Sequence, residues 1–129
     1  MQVAKFTKGP SLGDLVLAEA NPDISRGTGT LLAGSGAERT AKLGQVMGKI
    51  TASGKLVELT PTASNGSQNF YCVMLHDAIA ADGVDQDGVL YVDCNARLKS
   101  SGLVWPDGIT DPQKASAIAA MEAKHIKLA

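Results

Sequence analysis

Aromatic side chains are scarce: one Trp, two Tyr and two Phe, 4% of 129 residues. A core must therefore be assembled from Val, Leu, Ile, Met and Ala, the more so because Phe6 lies outside the expected core. Cysteine and histidine are as sparse, two of each. Thiolate and imidazole chemistry is thus restricted to Cys72, Cys94, His76 and His125. No apolar run approaches the roughly 20 residues that span a bilayer, so no membrane partner is expected. Clusters of one charge are missing too: 12 basic and 13 acidic residues leave a net charge of -1. Without clustered cations, counterion release cannot drive binding to phosphate backbones, and few aromatics are present to stack bases. Nucleic acid is not an expected partner.

Hydrophobic content of 44% and charged content of 19% are those of a globular chain. At this length folding buries roughly two-thirds of the surface that the unfolded chain exposes, enough for one domain without staples. The opening "MQVAKFTKGPSLGDLVLAEA" imitates a signal peptide, with Lys5 and Lys8 ahead of an apolar stretch and Ala18-Glu19-Ala20 in place of a cleavage site. Gly13 and Asp14 cut that stretch well below the usual length of roughly 7 to 15 residues. The segment reads as retained and the compartment as cytoplasmic, where Cys72 and Cys94 stay free thiols.

Residues 1–26 carry Gly9, Pro10, Gly13, Asn21 and Pro22 around the short run Leu15-Val16-Leu17. With so little apolar surface they read as an arm, mobile until something binds it, ahead of a single domain over 27–129. A short strand is expected at Thr30–Leu32, then a glycine-rich loop. "GQVMGKITASGKLVEL" alternates Val46, Gly48 and Ile50 with Gln45, Met47, Lys49 and Thr51, the period of a half-buried strand. Ser53-Gly54 turns it, and Leu56–Leu59 returns as its hairpin partner. Pro61–Asn69 is all turn formers and reads as a surface loop. "FYCVMLHDAIA" and "GVLYVDCNARL" read as central strands joined through "ADGVDQD". Thr110 and Asp111 ahead of Pro112 predict a capped helix, with Ala115, Ile118, Ala119 and Ile126 on one face. Ile126–Leu128 has the pattern of a short terminal strand. The expected class is β-rich α+β with one C-terminal helix.

The residues that carry chemistry do not combine. Cys72 and His76, four apart, fall on one side of a strand with Cys94 across the connection, but a structural zinc wants four ligands and only His125 remains. Asp85-Gln86-Asp87-Gly88 echoes the middle of a calcium loop, yet Gly83 and Cys94 stand where the first and last carboxylates belong; a hairpin turn is the reading. "GSGAER" lacks the third glycine of a dinucleotide loop and the Lys-Ser/Thr of a phosphate loop. In "VMGKI", Gly48 separates Met47 from Lys49, unlike the adjacent pair of a lipoyl or biotinyl carrier, leaving Lys49 as a solvated strand lysine. His76 and Asp77 face opposite ways in a strand, and no Gly-x-Ser-x-Gly elbow occurs. Catalytic, cofactor and metal residues are all read as none, and the expectation is a structural or binding role.

Two stretches, in order and spacing, resemble the bacteriophage head decoration proteins of the lambda protein D family. The first is Leu15–Leu59, with an apolar arm, Glu-Ala-Asn, Ser-Arg before a short strand, and a glycine-rich approach to "VMGKI". The second is "VMLHDAIAADGVDQDGVLYVDCNARLKSSGLVWPDG", with Ala-Ala-Asp after a strand and Val-Trp-Pro close to the helix. The resemblance implies a small tulip-like domain with an extended N-terminal arm. It also implies a homotrimer at local threefold positions on the outside of the mature virion head, made in the host cytoplasm and acting as a cement without catalysis. The major capsid protein and the chain itself are then the partners. Leu12, Leu15, Val16, Leu17, Ala18, Glu19, Ala20, Asn21, Ser25 and Arg26 are the candidate capsid-binding arm. Leu15 and Leu17 would fill pockets, and Arg26 would pair with a capsid carboxylate or be merely solvated. Trp105 and Pro106 of "LVWPDG" are read as trimer interface or as core plug. Two other classes fit the residues: a cytoplasmic β-rich binding module, and a metal protein using Cys72, His76 and Cys94.

Overall fold

The computed structural model describes residues 15–19, 21 and 25–129; the expectations for Phe6, Leu12 and Ala20 fall outside the described residues. In chain order the strands are β1 (Val16–Glu19), β2 (Arg26–Leu31), β3 (Arg39–Ala41), β4 (Val46–Lys49), β5 (Leu56–Glu58), β6 (Cys72–Met74), β7 (Ala78–Ala80), β8 (Gln86–Val92), β9 (Ala96–Leu98) and β10 (Ile126–Leu128). Helix α1 (Asp111–Ala123) precedes β10. The β-rich class with one C-terminal helix holds. Among the described residues no helix is long and apolar enough to cross a membrane.

Strands β2, β5, β4, β6 and β8 close into a small barrel. The expected hairpin is there, with Met47 opposite Glu58 and Lys49 opposite Leu56. The half-buried reading of β4 is corrected: Val46, Met47 and Gly48 are all buried. Closure gives the strand two apolar sides. Met47, Leu56, Cys72, Met74, Val89 and Tyr91 pack inside the barrel, whereas Val46, Val73 and Val92 point outward into a second core. That outer core lies between the barrel wall, α1 and a three-stranded sheet ordered β1-β9-β10. Strands β3 and β7 pair separately.

The two apolar runs each divide, into β6 and β7 and into β8 and β9, while the β6–β8 antiparallel pair is as expected. The Asp85–Gly88 turn is corrected. The chain turns earlier, where the Val84 amide donates to the Ala81 carbonyl at 3.1 Å, and Gln86–Val92 is strand with an extra residue bulged opposite β2. The acids draw this segment onto its neighbours. Asp85 accepts from the Ala33 amide at 2.8 Å and pairs with Lys55 at 2.6 Å, and Asp87 accepts from Thr30 at 2.8 Å.

Helix α1 starts where its sequence says. Thr110 accepts from the Gln113 amide and the Gln113 side chain accepts from the Thr110 amide, a complete capping box that satisfies two otherwise orphaned donors. Its buried face is not the expected one: Ala117 and Met121 are buried, Ala115 and Ala119 are exposed and Ile118 is half-buried. Met121 brings the largest apolar volume to the barrel wall and sets the rotation. Ile126 is buried from β10 instead, after His125 leaves the helix with φ +61.

Candidate functional site

The described residues of the expected arm are brought together, but on this chain's own domain. Strand β1 adds antiparallel to β9, with Val16 opposite Leu98 and Glu19 opposite Ala96. Leu15 is 1% exposed in the outer core, and its carbonyl accepts from the Lys99 amide at 2.7 Å. Val16 packs on the same core. A register shift between Val16 and Ala18 leaves Leu17, 46% exposed, turned to solvent; Ala18 is exposed as well. Two corrections follow. Leu15 fills a pocket of its own domain, because burial against β9 and α1 satisfies a side chain that the local sequence leaves unsatisfied. The folded unit accordingly includes residues 15–19, ahead of the boundary expected near residue 26.

Arg26 has a partner within its own chain, while its side chain stays 31% exposed. Its Nε donates to Glu19 Oε2 at 2.9 Å and its Nη2 to Oε1 at 2.5 Å, a two-pronged charge-assisted pair. Buried Ser25 donates to the same carboxylate at 2.5 Å. The Ser25 amide donates to the Asn21 carbonyl at 2.8 Å and its carbonyl accepts from Asp93 at 3.0 Å. Glu19, Asn21, Ser25 and Arg26 thus form a clasp that fastens β1 to β2. Among the described residues of this stretch, Glu19, Ser25 and Arg26 have internal side-chain partners.

The Arg26 guanidinium holds the Glu19 carboxyl below its usual value against the opposing effect of burial, with Ser25 helping. A carboxyl depressed in the folded state stabilises above its unfolded value and loses that contribution as pH falls through the folded one. Glu58, which burial pushes up and the Arg39 hydrogen bond brings down further, acts in the same direction. Stability is therefore expected to fall with acidification below about pH 4.5, the ordinary Glu value. Glu19→Gln should cost about 1 kcal/mol near neutrality, with the gap to wild type closing in acid. Urea midpoints across this range check it; a gap independent of pH would remove the ion pair as the cause.

The "LVWPDG" segment runs along the barrel mouth. The Val104 amide donates to the Gly44 carbonyl at 2.8 Å and its carbonyl accepts from Val46 at 3.0 Å. Leu103 is buried, while Trp105 is half-buried against the outer core with Lys114 Nζ 5.4 Å from its ring centre. Pro106, also half-buried, accepts from the Ile109 amide at 3.3 Å. The indole thus has one side on the core and one toward solvent.

The chemistry-bearing residues are dispersed. Cys72 lies inside the barrel, where burial and then Asp93 push its thiol far up. Burial likewise raises Cys94. Because β6 ends at Met74, strand alternation does not carry from Cys72 to His76. Its Nε2 accepts from the Leu90 amide at 2.9 Å, so Nδ1 carries the proton and donates to the Asp77 carbonyl at 2.8 Å. Asp77 in turn accepts from the Leu43 amide at 2.7 Å. Lys49 sits within β4, its Nζ 4.5 Å from the Tyr71 ring centre. Among the described residues no three His, Cys, Asp or Glu side chains are placed to hold a metal.

One surface escaped the sequence reading. The outer side of the β1-β9-β10 sheet forms a shallow groove of about 370 Å³ lined by Ala18, Glu19, Asn95, Ala96, Arg97, His125 and Lys127. Its cations are separated in sequence by up to 30 positions, and only the alternation in "ARLKS" and "HIKLA" hints that they share a side.

No curated protein sequence matches the chain. The family model of bacteriophage lambda head decoration protein D does, over residues 5–126. The match runs from the segment ahead of β1, through the clasp, the barrel and α1, to the first residue of β10. The chain belongs to the bacteriophage lambda head decoration protein D family.

Proposed function

We propose that this protein is a cement: a homotrimer that binds the major capsid protein on the outer surface of the expanded phage head and stabilises the shell. The family match over residues 5–126 carries the reading. The role is mechanical and not enzymatic, with no cofactor, nucleic acid or membrane involved, and the protein waits in the host cytoplasm before assembly. The segment ahead of Leu15, with Leu12, is the proposed arm. It adds backbone hydrogen bonds to a strand edge of the capsid protein, a mode in which the main chain supplies affinity and alternate side chains supply specificity. Exposed Leu17 and Ala18 extend that contact from the fixed end. Three arms on one trimer make later contacts intramolecular, raising avidity by roughly 10² to 10⁴.

Deleting residues 1–14 tests this; deleting 1–26 would strip β1 and the clasp and unfold the outer core. The shorter deletion should leave circular dichroism and the urea midpoint unchanged and abolish cosedimentation with expanded, undecorated heads. Binding equal to that of the full chain would defeat the arm, and a full chain that never binds heads would sink the cement reading. Trp105 separates a subunit contact from a core plug: Trp105→Ala is expected to weaken trimer association, followed by analytical ultracentrifugation, more than it lowers monomer stability. The reverse order makes Trp105 a core residue.

A further inference from the structure

The groove on the outer side of the β1-β9-β10 sheet carries a charge arrangement that the fold itself does not need. Strand alternation turns Ala96, Leu98 and Ile126 inward to the outer core and Arg97 and Lys127 outward to solvent. In the parallel β9–β10 register Arg97 is directly opposite Lys127, and in β1–β9 Ala18 is opposite Arg97. Like charges directly opposite on a sheet repel. Three cations elsewhere are closely paired, Arg26 with Glu19, Arg39 with Glu58 and Lys55 with Asp85, at 2.5 to 2.6 Å. Among the described residues Arg97 and Lys127 have no such partner, nor do Lys42, Lys49, Lys99, Lys114 and Lys124. What marks Arg97 and Lys127 is that they share one sheet face in register. The one carboxylate lining the groove, Glu19, is already held by Arg26 and Ser25. His125 adds a third nitrogen-bearing side chain, and Leu17 gives an exposed apolar contact on the adjacent strand. Asn95 and His125 both adopt the left-handed backbone region, φ +51 and +61. They are fixed there by the Asn95 amide on the Lys124 carbonyl and the Ala96 amide on the His125 carbonyl. Such conformations persist where surrounding contacts over-determine them, so the groove is preformed.

We propose that this groove docks carboxylate side chains of the major capsid protein, as a charge-dependent contact beside that of the N-terminal segment. The inference rests on the cement reading above. An acidic protein surface is favoured over nucleic acid because the groove pairs two cations with Ala18 and Ala96 and has no Phe, Tyr or Trp in its lining to stack bases. The shell is favoured because the 14 residues preceding Leu15 enter the fold through β1, the edge strand of this same sheet. A partner engaged by that segment is thereby brought to the groove.

The test measures the affinity of the full-length protein for undecorated expanded heads against sodium chloride concentration, for wild type, R97E/K127E, R97Q/K127Q and the conservative R97K/K127R. Charge reversal should weaken binding about tenfold or more at low salt and flatten the salt dependence. The neutral pair should fall between, and R97K/K127R should retain most of the affinity. Oligomeric mass should not change, and the urea midpoint should not fall in R97Q/K127Q, where the cross-strand repulsion is removed. If R97E/K127E fails to fold, R97Q/K127Q carries the comparison. Equal binding of wild type and charge variants overturns the groove proposal alone, whereas wild type that binds no heads removes the cement reading as well. Loss of trimer mass in the variants would make the groove a subunit contact and overturn the proposal. So would duplex DNA binding by wild type that the variants lose.

Discussion

Leu15→Ala is expected to lower the unfolding free energy by about 3 kcal/mol, in the range measured when a fully buried Leu is truncated in a core that relaxes only partly. Leu15 is 1% exposed among Leu98, Leu103, Met121 and Ile126, in the outer core. Its backbone carbonyl is also committed, to the Lys99 amide. Leu17→Ala, two residues along the same strand, should stay within about 0.5 kcal/mol because that side chain is already in water. Urea unfolding of both variants, followed by circular dichroism, decides between a docked β1 and a mobile arm. If Leu15→Ala is as stable as Leu17→Ala, β1 is not part of the folded unit and the Glu19–Arg26 clasp closes on nothing. The comparison also bears on the capsid. A side chain needed for folding cannot serve as an independent anchor, so head binding by folded Leu15→Ala should persist.

Gly44→Ala is the second large effect, also about 3 kcal/mol. Gly44 has φ +85, a region that costs an L-residue roughly 1–2 kcal/mol. A Cβ placed there lies 2.1 Å from the Gly102 carbonyl oxygen, a backbone atom that cannot swing away, and such overpacking costs about 1–3 kcal/mol. The residue is a junction: its amide donates to Met74 and its carbonyl accepts from Val104, both at 2.8 Å. Displacing it pulls the Leu103–Trp105 segment off β4. Gly36→Ala is the control, with a similar φ of +82 and nothing within 4 Å of the added carbon; it should show only the backbone cost. Chemical denaturation gives both values, and Trp105 fluorescence reports the displaced segment. Equal costs at the two glycines would show that conformation alone, without the close approach, sets the requirement.

Much of the local structure is legible in the sequence. The Val46–Leu59 hairpin follows from period-two alternation around Ser53-Gly54. The start of α1 follows from Thr110, Pro112 and Gln113, and β10 from three residues after the helix. Each depends on contacts within a few positions. What is not legible depends on distant ones. The sequence predicts a short strand at Thr30–Leu32, yet β2 begins at Arg26, where the Tyr91 ring stands 2.8 Å from the place a Gly27 Cβ would take. The helix face is not legible because an alanine-rich stripe has nearly equal sides, and Met121 decides between them only once the barrel wall is there to receive it. Glu19 and Arg26 read as outward-facing recognition residues because their pairing requires the intervening chain to fold back.

The candidate site divides along the same line. The sequence by itself determined the β-rich class, the capped C-terminal helix and, through the order of weak motifs from Leu15 to Gly108, the resemblance to head decoration proteins; these rest on local geometry and on residue order, which need no coordinates. Only the tertiary structure decided that Leu15 belongs to the core, that Arg26 is already paired, and that Arg97 and Lys127 stand opposite each other with no counter-charge. The Arg26 pair closes over seven residues, but the other two facts arise from strand register between segments about 30 to 80 residues apart, where the free energy of closing the loop is set against burial of a shared core. No single segment carries that balance.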